Sequence, residues 1–226
     1  PVEVRAVPEY SQDSAPTGYY NPPAKDGSRP GVYWLNLRDT AVHPRFALPT
    51  LTYHESIPGH HLHFATAIDQ DVPPLVTAIW SNAAGEGWAL YSEQLAYEMG
   101  MYDDDPYGNL GRLQAELHRA VRLVVDTGMH ARKWSREQAI EYMIEAEGVE
   151  EGTAISEVER YAVWPGQALG YKLGMLKILE LREEARQALG DDFDIRAFND
   201  TVLHVASAPL PYIEATVRDW IRQADM

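Results

Sequence analysis

The sequence predicts a mostly α-helical protein with one small β element near the N-terminus. Helical apolar periodicity runs from about Leu48 to the C-terminus, prolines and glycines crowd the first 31 residues, and a single run, Gly31-Val32-Tyr33-Trp34-Leu35-Asn36-Leu37, has the aromatic and aliphatic character of a strand.

Each element follows from local chemistry. Pro8, Pro22, Pro23 and Pro30 among Gly, Ser and Asp forbid a long helix, so residues 1–31 are expected to be an extended arm or loop. The 31–37 run is rich in residues that fit a pleated surface. Helical patterning then covers 48–70, interrupted at Pro58-Gly59, followed by 75–99, 106–132, 135–147, 154–188 and 194–224, the last with breaks at Pro209 and Pro211. Ser135 before Glu137 and Gln138 is a candidate N-cap with a capping-box neighbour. Gly190-Asp191-Asp192 ends the long helix, and Asp103-Asp104-Asp105 before Pro106 lacks calcium-loop spacing and is expected to cap a helix. No repeat or low-complexity tract interrupts the chain, and residues 32–226 are expected to form one helical metal-site domain behind the arm.

Composition narrows the function. At 226 residues and 45% hydrophobic the chain can bury a substantial core. Its net charge of −15 argues against nucleic acid and anionic membrane as partners, because both would repel it. There is no cysteine, so a metal would need histidine and carboxylate ligands. No apolar run reaches about 18 residues, so no membrane span is expected. Pro1 is neither an initiator Met nor the start of a signal sequence; the chain is expected to be part of something longer, with localisation left open. Phosphate loops, a GxSxG elbow, a Cys-His pair and paired Glu-x-x-His helices are all missing from the sequence.

The densest chemistry lies in Tyr53-His54-Glu55-Ser56-Ile57-Pro58-Gly59-His60-His61-Leu62-His63. A zinc helix of the HExxH type puts its histidines at i and i+4. Here i+4 is Pro58, and in a regular helix His54 and His60 would stand about 240° apart in projection. A two-residue bulge at 58–59 would return His60 to the i+4 phase. His61 keeps the phase of His54 unaided but lies about 10 Å along the axis, a poorer partner. His63 reads as surface or as support to the ligands. A third ligand is available in Gly85-Glu86-Gly87-Trp88-Ala89-Leu90-Tyr91-Ser92-Glu93, where Glu86 and Glu93 share one helix face among apolar neighbours. His54, His60 and Glu86 would give Zn²⁺ three ligands and an open fourth position, or would hold Mn²⁺ or Co²⁺. Glu55 would serve as general base and Glu93 would hold a histidine N–H.

HESIPGHH, GEGWALYSE, RLVVDTGMH at 122–130 and EVERYAVWPGQALGYKLG at 157–174 together resemble the bacterial domain of unknown function 885 family, whose signature is HExxPGHH. The match is dense over about residues 30–210. Members are typically more than twice this length, so the chain resembles their C-terminal, site-bearing portion, and the missing N-terminal portion is an expected partner. That family is in turn similar to gluzincin peptidases of the thimet-oligopeptidase and Taq-type carboxypeptidase kind, which carry HExGH and a later Glu followed by another seven residues on. Aligning their Gly with Gly59 selects His60 over His61, which moves to a supporting place. Aligning their acids selects Glu86 as ligand and Glu93 as its neighbour. The resemblance implies a multi-helix gluzincin-like catalytic lobe, and dipeptidyl-peptidase III implies that an insertion in the motif is compatible with zinc.

The expected activity is zinc-dependent hydrolysis of a peptide or another small amide, with Glu55 activating water at the zinc. An oxyanion donor is needed besides the metal, and Tyr161 is preferred over His130 because gluzincins place a Tyr on a downstream helix. Asp126 stands one turn before His130 and is expected to support the site, or the two could equally be a local hydrogen-bonded pair. Arg160 would bind a substrate carboxylate or pair with Glu157 or Glu159, and Gln167 and Tyr171 would line the cleft. The Val32–Leu37 strand would offer an edge to an extended peptide, as gluzincin strands do. Hydrolysis of a non-peptide amide or ester, or a non-catalytic metal-stabilised binding lobe, are the alternatives.

Overall fold

The N-terminal arm is a sheet rather than a loop. In the computed structural model, which describes residues 1–40, 43–69, 81–205 and 208–224, β1 (Val2–Ala6) and β2 (Gly18–Asn21) flank β3 (Gly31–Leu35) in the order β1-β3-β2. β1 runs parallel to β3 with Val2 opposite Gly31, and β2 runs antiparallel with Gly18 opposite Leu35. The expected boundary after residue 31 therefore falls inside β3, and two expectations need correction. Within residues 1–31, Val2–Ala6 and Gly18–Asn21 satisfy backbone groups by pairing with β3, and turns and loop connect them. β3 is central, so it has no free edge for a peptide; the edge beside the cleft belongs to β2, whose Gly18, Tyr19 and Tyr20 line it.

The rest is helical, as expected. α1 (Leu48–Glu55) and α2 (His60–Asp69) are separate helices, not one bulged helix. The chain turns at Ser56, whose N–H bonds Thr52 O at 2.9 Å, and Pro58 has no N–H to continue the ladder. Gly59 is needed here for space and not for a left-handed φ, since a Cβ would stand 2.0 Å from the His54 carbonyl oxygen. α3 (Asn82–Glu98) follows; residues 70–80, part of the expected 75–99 helix, lie outside the described residues. α4 (Pro106–Arg132) is capped by Asp105 accepting from Gly108 N at 2.8 Å, and α5 (Arg136–Glu147) by the full Ser135–Gln138 capping box.

The expected helix over 154–188 is two helices. α6 (Glu151–Val163) stops at Trp164, Gly166 takes φ +82°, a 3-10 turn covers Gln167–Leu169, and α7 (Gly170–Leu189) restarts the chain. Apolar periodicity continues through this corner, but Pro165-Gly166 breaks the backbone. α8 (Ile195–His204) and α9 (Leu210–Ala224) complete the chain. Pro209 precedes α9, while Pro211 sits in its first turn, where a missing N–H costs nothing, so the second expected break does not occur.

Two buried clusters fix the frame. Trp88, Tyr91, Met175, Ile178, Phe198, Ile213 and Val217 join α3, α7, α8 and α9, and Val125, Ile140, Met143, Val158 and Tyr161 join α4, α5 and α6. The α3–α7 crossing is exceptionally close: a Cβ on Gly174 would stand 1.8 Å from Ala83 O and 2.6 Å from Gly87 Cα. That approach sets the start of α7 against Asn82, Ala83 and Gly87 of α3, and Tyr171 and Glu86 line the same cleft. No described helix is long and apolar enough to cross a membrane.

Candidate metal centre

The α1–α2 corner and α3 bring three side chains to one point. His54 ends α1, His60 begins α2 and Glu86 lies in the second turn of α3. Trp88 ties the pieces together, its indole N–H donating to Pro58 O at 2.9 Å. Glu86 Oε2 is 3.5 Å from His54 Nε2 and 3.2 Å from His60 Nε2, and all three ligand atoms fall within 4.8 Å of one another. The histidine rings are nearly perpendicular, 88° apart with centroids at 4.9 Å.

These dimensions fit a tetrahedral ion. Zinc bonds of about 2.0–2.2 Å at tetrahedral angles separate neighbouring ligand atoms by about 3.3–3.6 Å. Hydrogen-bond satisfaction points the same way: Glu86 Oε2 is buried without a well-formed hydrogen bond among the described residues, and its close polar neighbours are the two histidine nitrogens. A carboxylate oxygen without a donor, facing two imidazole nitrogens, is costly to bury unless a cation joins them.

The surrounding groups set the charge. Glu93 Oε1 accepts from His54 Nδ1 at 2.8 Å, which leaves Nε2 directed at Glu86. Burial opposes a charge on His54, but the Glu86 and Glu93 carboxylates outweigh it and raise its pKa from 6.5 to about 10. Burial likewise opposes ionisation of Glu86, yet the two histidines hold it well below the usual carboxylate range. In the protein alone, a proton on His54 offsets the acids, and an incoming divalent ion would displace it.

All of this lines a cleft of about 1050 Å³. Glu55, Arg160, Gln167 and Tyr171 line it with the three candidate ligands. Tyr171 stacks on His54, with centroids 6.2 Å apart and planes 18° from parallel. Glu55 is buried at the end of α1, and Tyr33 behind it in β3 is pushed up to about 12, by burial first and then by that carboxylate.

Five residues singled out from the sequence lie outside the triad. The Tyr161 hydroxyl donates to Glu157 Oε2 at 2.8 Å and accepts from Arg122 Nε at 3.0 Å, so it belongs to the second core and stands behind these two cleft-lining residues without lining the cleft itself. His130 bonds Tyr161 O at 3.0 Å, and Asp126 accepts the Gly166 N–H at 2.9 Å instead of pairing with His130. Both secure the α6–α7 corner. His61 turns to the sheet, its Nδ1 2.7 Å from the Tyr20 hydroxyl, and His63 is buried rather than on the surface.

Several cleft residues escape sequence reasoning. Tyr20 comes from the arm, and His118, Arg119, Arg122 and Glu157 come from α4 and α6. Arg119 and Arg122 are three apart and so share a helix face. Only the tertiary fold distinguishes that face from an ordinary charged surface.

The family model for "Bacterial protein of unknown function (DUF885)" matches residues 1–217. No curated protein matches the chain. A crystal structure described as a "putative lipoprotein" from Colwellia psychrerythraea is similar at 57% identity and a TM-score of 0.96, covering 99% of this chain and 38% of its own. A second "putative lipoprotein of unknown function", from Shewanella oneidensis, matches at 26% identity and a TM-score of 0.83, covering 95% of this chain and 40% of its own. The chain thus spans well under half the length of these solved relatives. With a family match over nearly its whole length, the chain belongs to the bacterial proteins of unknown function grouped as DUF885.

Proposed function

We propose that the chain carries the catalytic centre of a zinc-dependent hydrolase acting on peptide bonds. The observation that carries this reading is the convergence of His54 Nε2, His60 Nε2 and buried, undonated Glu86 Oε2 at distances that suit a tetrahedral ion. The HExxPGHH resemblance to gluzincin peptidases supports it. Bound by these three side chains, Zn²⁺ supplies Lewis-acid polarisation and an open position for water and substrate.

The chain's own groups do the rest. Glu55 takes a proton from the attacking water and delivers it to the leaving amine. Glu93 keeps the His54 ring oriented through its 2.8 Å contact. The tyrosine able to donate to a developing oxyanion is Tyr171, which lines the cleft, and not Tyr161. The lipoprotein descriptions of the solved relatives favour an exported setting.

Hydrolysis of a peptide panel by wild type and Glu55→Gln tests the reading. Loss of turnover by roughly 10²–10⁴-fold with metal retained is expected. Undiminished turnover in Glu55→Gln removes the general-base role. A metal-loaded wild type that cleaves no peptide favours another amide or ester substrate, or a binding lobe.

A further inference from the structure

We propose that the cleft beside the triad binds the free C-terminal α-carboxylate of a short peptide through Arg119 and Arg160. The substrate class then becomes peptides with an unblocked C-terminus, cut within about three residues of that end. The cleavage part rests on the peptidase reading above, whereas the carboxylate subsite is testable by binding alone.

Cations gather on one wall of the cleft. Arg119, Arg122 and Arg160 all line it, alongside the acids Asp13, Glu55, Glu86, Glu93 and Glu157. Of these acids, Glu93 and Glu157 are the ones within 4.0 Å of an arginine of this wall. Arg122 is held by Glu157 at 2.6 Å and by the Tyr161 hydroxyl at 3.0 Å. The same Glu157 is 3.6 Å from Arg160 Nη1 and 3.6 Å from His118 Nε2, so one carboxylate is shared between two arginines and an imidazole. Glu93 is 4.0 Å from Arg119, beyond hydrogen-bond reach, and its Oε1 already serves His54.

Two donors are left over. The Nε atoms of Arg119 and Arg160 are buried with no hydrogen-bond partner among the described residues. A buried guanidinium N–H without an acceptor is unfavourable, and a carboxylate is the ligand group whose paired oxygens suit guanidinium forks. Arg160 is also pre-oriented: its Nη2 donates to Gln167 Oε1 at 3.0 Å, and Gln167 Nε2 donates in turn to Asn82 Oδ1 at 3.2 Å.

Tyr171 sets the distance from the chemistry. One ring contacts His54 at 6.2 Å, the Arg122 guanidinium at 4.9 Å and the Arg119 guanidinium at 5.8 Å, and its hydroxyl is 3.5 Å from Arg160 Nη2. The cationic wall is therefore a single aromatic ring away from a candidate metal ligand. An extended chain covers about 3.3–3.6 Å per residue, so a carboxylate on this wall lies within about three residues of a carbonyl at the triad. Hydrolysis there adds water across the C–N bond, oxygen to the carbonyl carbon and hydrogen to the leaving nitrogen, and releases a short C-terminal fragment.

Calorimetric titration of the purified protein with N-acetyl-Ala-Ala as the free acid and as the C-terminal amide tests the subsite. The acid is expected to bind on the order of tenfold to a hundredfold tighter, and Arg119→Met and Arg160→Met are expected to erase that preference while leaving amide binding unchanged. Arg119→Lys and Arg160→Lys, which keep the charge and guard against misfolding, should retain only part of it. Equal binding of acid and amide, no measurable binding of the acid, or a preference that survives the Met variants overturns the subsite. Cleavage of acid and amide at equal kcat/KM removes the subsite and leaves the peptidase; selective binding of the acid without any cleavage removes the peptidase and leaves the subsite.

Discussion

Glu93 Oε1 lies 2.8 Å from His54 Nδ1, and the opposite nitrogen of the same ring faces Glu86 and His60. A carboxylate behind a ligating imidazole fixes its tautomer and raises its basicity. Glu93→Gln is expected to weaken zinc affinity by about 10- to 100-fold with little change in the fold, as read by competition with a chromogenic chelator. Unchanged affinity would show that His54 does not ligate through Nε2.

The pH dependence has opposite signs with and without metal. The pKa of His54 is raised from 6.5 to about 10, so its proton stabilises the metal-free fold fully below about pH 6.5, and that contribution is lost as pH rises toward 10. Metal needs the neutral ring, so binding releases the proton and tightens over the same range. The Tm of chelator-treated protein should fall from pH 6.5 to 10 relative to a His54→Leu variant, while the Tm gained on adding zinc should widen. A metal-free Tm difference that stays flat or rises over that range contradicts the assignment.

Tyr161 and Tyr171 should separate stability from activity. Tyr161→Phe removes buried bonds to Glu157 and Arg122 and is expected to cost about 1–3 kcal/mol in denaturant unfolding, with kcat nearly unchanged. Tyr171→Phe should lower kcat with less effect on stability, because its hydroxyl has only 3.5 Å contacts to lose. The reverse pattern would return the oxyanion role to Tyr161.

The corner between α1 and α2 depends on a missing methyl. Gly59→Ala would bring a Cβ to 2.0 Å from His54 O and 2.4 Å from Tyr53 O, both backbone atoms that cannot swing aside. A loss of about 1–3 kcal/mol is expected, together with weakened metal binding, since the displaced backbone carries His54 and His60. Wild-type stability in Gly59→Ala would refute the corner geometry.

Much of the fold was legible where the code is local. Ser135 and Asp105 cap the helices that their side-chain chemistry predicts, and α4 runs over the expected residues. The strands β1 and β2 were not legible, because their stability comes from pairing with β3 and their own patterning is masked by prolines. The break at Pro165-Gly166 was hidden by apolar periodicity on both sides, and it decides which tyrosine enters the cleft: Tyr161 stays with α6 in the second core, while Tyr171 starts α7 beside His54. His54, His60 and Glu86 could be chosen from residue type and spacing, but the sequence could not show that two helices, not a bulge, bring them together. Arg119 and Arg122 look like any charged helix face until the opposing wall is in place.

Metal content is the measurement closest to the central claim. Elemental analysis of the purified protein, with His60→Ala and His61→Ala beside wild type, is expected to give near-stoichiometric zinc in wild type and His61→Ala and a loss in His60→Ala, because His60 faces Glu86 and His61 faces Tyr20. Wild-type protein that takes up no metal when dialysed against zinc, or a loss confined to His61→Ala, would contradict the centre described by His54, His60 and Glu86.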